Sequence, residues 1–240
     1  MKDIDAQRLI GGRTTLEVIR IGNTVHRPTG DHSMFVHTLL ELLEKKGFPY
    51  SPCFLGVDEK GWEILTYIEG TVPHGEVKWI DTELIQLTTV LRTFHDATAG
   101  EEISGNEGVV CHNDFAPWNM VLINNTFAGI IDFDDAAPGK RVDDFAYFLW
   151  TFLELGEDVS AEEQARKIKM LSDVYGLFDG ASVIEAILGQ QEKILNKRKR
   201  LAEISKIQED RDFSEKRVGK IKSEIEWVKK HRHSLEEVFN

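Results

Sequence analysis

The sequence has few cysteines and no apolar run long enough to span a bilayer. Only Cys53 and Cys111 occur among 240 residues. They lie far apart and lack metal-ligand spacing, which excludes a disulfide framework and a cysteine metal cluster. The first residues carry no apolar signal core. The most hydrophobic stretch, residues 145–155, is too short for a membrane helix and contains Glu154. These absences predict a cytoplasmic protein with no membrane partner.

An excess of positive charge is also lacking. The net charge is −12 at pH 7, which argues against a nucleic-acid partner. The basic run at residues 197–200 is interpreted as the solvated face of a helix, because an apolar stripe accompanies it. Residues 210–214 are predicted to break the helical tail. A hydrophobic content of 41% and a charged content of 29% fit a globular protein that is long enough to bury a sizeable core.

The sequence does contain an H-x-D-x-x-x-x-N pattern formed by His112, Asp114 and Asn119, and Asp132 later ends an apolar run. Protein kinases carry H-R-D-x-x-x-x-N and then D-F-G; the first Asp meets the acceptor hydroxyl, and the later Asn and Asp hold magnesium. The pattern alone is weak, because a turn residue, a cap and a solvated strand end would produce it too. The order of strand, loop, hairpin and Asp132 favours the kinase-like interpretation.

A β-hairpin is predicted between the two halves of this pattern. The apolar runs 120–123 and 127–131 flank the turn sequence 124–126, Asn-Asn-Thr. Pairing the strands about this turn would place Asn119 opposite Asp132.

Two oxygen ligands beside Asp114 would suit Mg²⁺, which takes few protein ligands and keeps several waters. We therefore predict Asn119 and Asp132 as metal ligands. Asp114 is predicted to be the catalytic residue, which orients or accepts the proton of the acceptor.

These motifs occur without the activation-segment motifs of protein kinases and resemble those of the aminoglycoside phosphotransferase family of small-molecule kinases. The resemblance extends from about Gly11 to Trp150. It implies an α+β class with a two-lobed, protein-kinase-like fold. A small β-rich N-lobe with one helix would occupy residues 1–69. A larger, mainly helical C-lobe with the catalytic loop and the metal-binding hairpin would occupy residues 70–240.

The resemblance also implies nucleotide-binding residues. Gly11 and Gly12 form the turn that would lie over the phosphates, where missing side chains let backbone amides approach. Arg27, on the third predicted strand, takes the place of the usual phosphate-binding Lys. A guanidinium also binds phosphate, as a fork and not as a point charge. Tyr67 and Ile68 resemble the linker whose backbone meets the adenine edge.

One part of the kinase pattern is not assigned. The helix predicted over residues 33–46 would supply a Glu to pair with the strand Lys, but alignment places Val36 or His37 there. Strand alternation sends Arg27 and His26 to opposite faces of the sheet.

The sequence thus predicts a Mg²⁺-dependent phosphotransferase that uses ATP or GTP. The resemblance implies an acceptor hydroxyl on a small molecule, either aminoglycoside-like or another polyol or amino alcohol. Two alternatives stay open. One is a metabolic kinase of the choline-kinase type. The other is a catalytically inactive nucleotide-binding or interaction protein, which Arg27 and the unassigned Glu motivate. The intact Asp114, Asn119 and Asp132 favour an enzyme.

Overall fold

The computed structural model describes residues 6–9, 17–73, 77–156, 159–176 and 179–240. Gly11 and Gly12 lie outside these ranges, so their contact with phosphate stays a prediction. Within the described ranges, no helix has the length and apolar character needed to cross a membrane.

Contacts divide the chain into two units. Unit 1 comprises Met1–Val77 and Thr93–Pro138, and unit 2 comprises Lys78–Arg92 and Gly139–Asn240. The lobe boundary after residue 69 stays a prediction.

Unit 1 contains a five-stranded antiparallel sheet in the order β1-β2-β3-β5-β4. Its strands are β1 (Ala6–Leu9), β2 (Val18–Ile21), β3 (Thr24–Pro28), β4 (Phe54–Val57) and β5 (Trp62–Thr66). In the central pair, Arg27 of β3 lies directly opposite Glu63 of β5. The His26 ring contacts the Thr24 hydroxyl at 3.0 Å. Because residues two apart share a face of a strand, His26 and Arg27 point to opposite faces, as predicted.

One helix, α1 (Ser33–Lys45), accompanies the sheet. Its buried positions are spaced three and four residues apart, which gives one apolar stripe; they are Val36, Leu39, Leu40 and Leu43. Gly47 follows at a φ of +73°. This left-handed conformation commonly ends helices and favours glycine.

The predicted hairpin is present. Its strands are β7 (Met120–Ile123) and β8 (Thr126–Ile130), and unit 1 also contains β6 (Val109–Cys111) and most of β9 (Ala137–Gly139). Asn124 and Asn125 have φ values of +50° and +62°. Two central residues with positive φ are typical of the tight type I′ hairpin turn.

The predicted register of this hairpin is wrong. Ile123 pairs with Thr126, so the turn has two residues, and a bulge lets Met120 pair with Ile130. The Ile131 amide donates to the Asn119 carbonyl at 3.0 Å. Asn119 therefore lies beside Ile131, one residue short of Asp132. The turn length and the bulge both move the register without changing the apolar pattern.

The segment after β5 is fixed against this hairpin. Thr71 and Leu122 exchange two backbone hydrogen bonds of 2.9 Å each. Gly70 has a φ of +138°, and a Cβ there would lie 2.6 Å from the Leu122 carbonyl oxygen. A Cβ at Gly129 would lie 2.8 Å from the Ile68 side chain. Both glycines thus permit a close approach of linker and hairpin.

Unit 2 is helical. It holds the first part of α2 (Asp81–Thr98), followed by α3 (Arg141–Leu153), α4 (Ala161–Tyr175), α5 (Gly180–Ile204) and α6 (Gln208–Glu237). Helix α6 packs along α5 and α4, while α3 packs on α5. Within this core the Trp150 indole donates to the Glu224 carboxylate at 3.0 Å. The five-stranded sheet of unit 1 and the helices of unit 2 confirm the α+β class.

The predicted break at residues 210–214 is wrong. The chain turns earlier, at residues 205–207, and α6 then continues without interruption. Glu209 and Asp210 lie in the first turn of α6. Acidic side chains stabilise the start of a helix, where the dipole is positive. The charged segment therefore opens α6.

We expect Gly70→Ala to lower the free energy of unfolding by about 3 kcal/mol, because the new Cβ meets backbone at a φ that L-residues rarely adopt. Urea unfolding followed by circular dichroism measures this. Gly100→Ala is the control, since Gly100 also has a positive φ, +73°, but nothing lies within 4 Å of its Cβ position. It should lose about 1 kcal/mol. Equal losses in the two variants would contradict the close approach.

Candidate active site

Asp114 lies in the loop that follows β6. Asn113 bends the chain at a φ of +60°, a conformation that Asn tolerates better than most residues. Its side-chain amide donates to the Asp135 carbonyl at 3.0 Å. This bond ties the loop to residues 132–135, the acidic segment after β8. A short 3₁₀ turn, Pro117–Asn119, completes the loop.

Two donors fix the Asp114 carboxylate. The Asn119 amide nitrogen donates to one carboxylate oxygen at 2.8 Å and to the Asp114 carbonyl at 2.9 Å. The Trp118 indole nitrogen lies 3.1 and 3.2 Å from the two carboxylate oxygens. The structure therefore brings the predicted Asp114 and Asn119 together. Sequence reasoning missed Trp118, whose only signal is its place immediately before Asn119.

His112 supports the loop from below. It is fully buried, and its Nδ1 accepts a hydrogen bond from the Asp114 amide at 3.3 Å. Its ring centroid lies 4.6 Å from that of Phe133, and Phe133 in turn packs near Phe94 at 6.0 Å. The phenylalanine between Asp132 and Asp134 thus anchors the acidic segment in the core.

Asp132 follows β8 at a φ of +66°. The residue retains access to solvent, but its carboxyl is partly desolvated by surrounding protein. This desolvation, together with the Asp134 charge, raises the pKa of Asp132 to about 6. Arg27 opposes this shift, while Asp114 and Asp135 add to it. Clustered negative charge of this kind favours a bound cation.

The residues present fit Mg²⁺. The Asn119 amide nitrogen donates to Asp114, and its side-chain oxygen is the atom that would bind a metal, because Mg²⁺ takes oxygen ligands. Asp132 would add carboxylate oxygens, and it directly follows Ile131, whose amide donates to the Asn119 carbonyl at 3.0 Å. Hard oxygen ligands in small number are what Mg²⁺ requires of a protein.

Arg27 lies at the same acidic segment. Its Nη atoms bind both oxygens of Asp134, at 2.6 and 3.0 Å. Its Nε donates to the Glu63 carboxylate at 2.6 Å. Burial lowers the pKa of the guanidinium, but the charges of Asp134 and Glu63 outweigh this and raise it. Arg27 therefore remains a cation next to Asp132.

The partner of Arg27 comes from β5 and not from a helix. Glu63 is 1% exposed, and its second oxygen lies 2.7 Å from Nε2 of His37 on α1. The helix thus contributes a histidine where the kinase pattern has a glutamate. Sequence reasoning missed Glu63. The available signal was its alternation in phase with Leu65, which is buried on the same face of the strand.

The linker residues Tyr67 and Ile68 have contacts of their own. The Tyr67 amide donates to the Asn23 carbonyl at 2.8 Å, and the Arg20 guanidinium lies 3.7 Å from the centre of the Tyr67 ring. Ile68 packs on Gly129. The contact of this linker with the adenine edge stays a prediction. The Tyr67 amide already donates to Asn23.

Solved structures show that this is a kinase-like fold, as predicted. The GDP and kanamycin complex of APH(2")-IIia is 15% identical with a TM-score of 0.61, covering 90% of this chain and 92% of that one. A choline/ethanolamine kinase family protein from Mesorhizobium loti is also 15% identical, with a TM-score of 0.60, covering 97% and 92%. Identity this low shows the fold alone.

Sequence comparison identifies the family. Residues 82–180 match the model of the APH phosphotransferase enzyme family. The trifolitoxin immunity protein of Rhizobium leguminosarum bv. trifolii is 34% identical over 191 residues, which cover 70% of this chain and 72% of the relative. The chain belongs to the APH phosphotransferase enzyme family.

Proposed function

We propose that the protein is a Mg²⁺-dependent kinase that transfers the γ-phosphoryl group of ATP or GTP to a hydroxyl of a small molecule. One observation carries the proposal. The Asp114 carboxylate is held by Trp118 and Asn119, and the Asn119 carbonyl accepts a hydrogen bond from the Ile131 amide, in the residue before Asp132. Phosphoryl transfer uses one carboxylate oriented toward the acceptor hydroxyl and a second carboxylate nearby that holds the metal.

Asp114 would bind the acceptor hydroxyl and take its proton. The two donors from Trp118 and Asn119 hold the carboxylate in one orientation before the acceptor arrives. In phosphoryl transfer most of the catalysis comes from positioning and charge stabilisation, so a fixed carboxylate is an advantage.

Asn119 and Asp132 would hold Mg²⁺, which neutralises charge on the phosphates when it is bound. Arg27 would bind phosphate oxygens through its Nη atoms. These atoms already hold the two oxygens of Asp134 in a bidentate pair, the same geometry in which a guanidinium binds a phosphate.

The names of similar proteins support the proposed acceptor class. Matching structures contain kanamycin or spectinomycin or belong to a choline/ethanolamine kinase family, which supports an aminoglycoside, another polyol or an amino alcohol. The 34% sequence identity to a trifolitoxin immunity protein supports a second candidate for the acceptor. In that case the protein would protect against a toxin, and the phosphorylated hydroxyl would belong to the toxin.

A transfer screen separates these candidates. The chain is incubated with Mg²⁺ and labelled ATP or GTP, together with aminoglycosides, amino alcohols, sugars or trifolitoxin, and labelled products are detected by mass spectrometry. A phosphorylated small molecule supports the first candidate and phosphorylated trifolitoxin the second. Nucleotide binding without any phosphorylated product would support an inactive binding protein.

We expect Asp114→Asn to reduce phosphorylation of the acceptor that the screen identifies by on the order of 10²–10⁴-fold, because general-base assistance is lost. Binding of Mg·nucleotide should stay within about twofold of the parent, since Asp114 faces the acceptor. Steady-state kinetics and calorimetry measure the two effects. Asp173→Asn, the same change on the surface of α4, is the control and should alter neither. An Asp114→Asn variant with parental turnover would contradict the catalytic role.

Asp132→Asn should raise the Mg²⁺ concentration needed for half-maximal rate by about 10²-fold, because a charged metal ligand is lost. Asn tolerates the left-handed backbone of this position, so the fold should survive. The control is Asp135→Asn, which removes a neighbouring charge without removing a predicted ligand. Its Mg²⁺ requirement should change much less. Identical Mg²⁺ dependence of the Asp132→Asn variant and the parent would show that Asp132 is not a ligand.

A further inference from the structure

The two edges of the Arg27 guanidinium lie in different surroundings. The Nε edge bonds to Glu63 at 2.6 Å, and Glu63 is 1% exposed. The Nη fork bonds to Asp134, whose side chain is 44% exposed. One carboxylate therefore belongs to the interior of the unit, while the other can leave the guanidinium for solvent.

Glu63 is fixed by several elements. It lies directly opposite Arg27 in the β3–β5 pair, and its second oxygen contacts His37 of α1 at 2.7 Å. The His37 ring stacks on Phe54 of β4, with centroids 3.8 Å apart. Both oxygens of this buried carboxylate thus have partners, which is the condition for keeping a buried charge in one place.

We propose that Glu63, with His37 behind it, is a positioning residue that aims the Arg27 fork at the nucleotide phosphates. The proposal rests on the phosphotransferase function proposed above. A carboxylate on Nε leaves both Nη atoms for an oxyanion, and a guanidinium that is already fixed loses less side-chain freedom when it binds one.

Asp134 has the opposite role in this proposal. It binds the same two Nη atoms that a phosphate would use, so a bound phosphate must replace it. Removing Glu63 should therefore weaken nucleotide binding, while removing the Asp134 charge should not. These different expected changes in nucleotide affinity distinguish positioning from a general loss of negative charge around Arg27.

The test is calorimetric titration of the full chain with Mg·ADP and Mg·GDP. We expect Glu63→Gln, which keeps the side-chain shape, to raise the Kd about tenfold, the size of one lost charge-assisted hydrogen bond. Asp134→Asn should bind at least as tightly as the parent. Thermal melting of each variant accompanies the titrations.

A double variant separates positioning from a merely structural role. If Glu63 acts through Arg27, Glu63→Gln should add nothing to the Kd of Arg27→Ala, because the effects of coupled residues are not additive. His37 gives a second route that leaves Glu63 in place. His37→Gln keeps a donor and should bind nucleotide like the parent, whereas His37→Leu should bind more weakly.

The outcomes are separable. If the parent binds nucleotide and Glu63→Gln binds equally well, the positioning role is wrong and the phosphotransferase proposal stands. An Asp134→Asn variant that loses as much affinity as Glu63→Gln also overturns it, as does further loss in the double variant. If Glu63→Gln does not fold, the two His37 variants decide, and equal binding by both counts against the proposal. A parent that binds neither nucleotide refutes both proposals.

Discussion

Charge balance around Arg27 constrains the arrangement of unit 1. The guanidinium is shared by Glu63 on β5 and Asp134 after β8, and its charge also acts on Asp132. A buried carboxylate without a cation is strongly destabilising, typically by about 3–5 kcal/mol. Arg27 therefore offsets much of the cost of keeping the Glu63 charge in the interior. Through Glu63 the same cation fixes His37, so sheet, helix and acidic segment meet at one side chain.

The grouping of the proposed site residues was predictable because it is local in the chain. A loop after an apolar strand, followed by a hairpin, brings Asp114, Asn119 and Asp132 to one end of that hairpin, whichever register it adopts. The register itself was not predictable. It depends on the length of the turn and on a bulge between Val121 and Leu122, and neither changes the alternation of apolar residues that the prediction used.

The contacts of Arg27 were out of reach for a different reason. Glu63 lies 36 residues away, on a strand whose pairing with β3 cannot be read from its own sequence. The kinase pattern directed the search to the helix, where the structure has His37. The predicted break at residues 210–214 was wrong for a related reason, because Asp210 lies in the first turn of α6, where an acidic side chain stabilises the helix. Long-range pairing and context, not composition, decide such positions.

Trp118 has an optical consequence. Of the five tryptophans, Trp79, Trp150 and Trp227 are buried and Trp62 is half-buried. Trp118 is 46% exposed and bonds to Asp114 through its indole nitrogen. Indole emission depends on solvent contact and on the hydrogen bond of the ring nitrogen. A molecule that binds at Asp114 would change both. The protein thus carries an intrinsic fluorophore at the point where the acceptor would bind, and occupancy can be followed without a label.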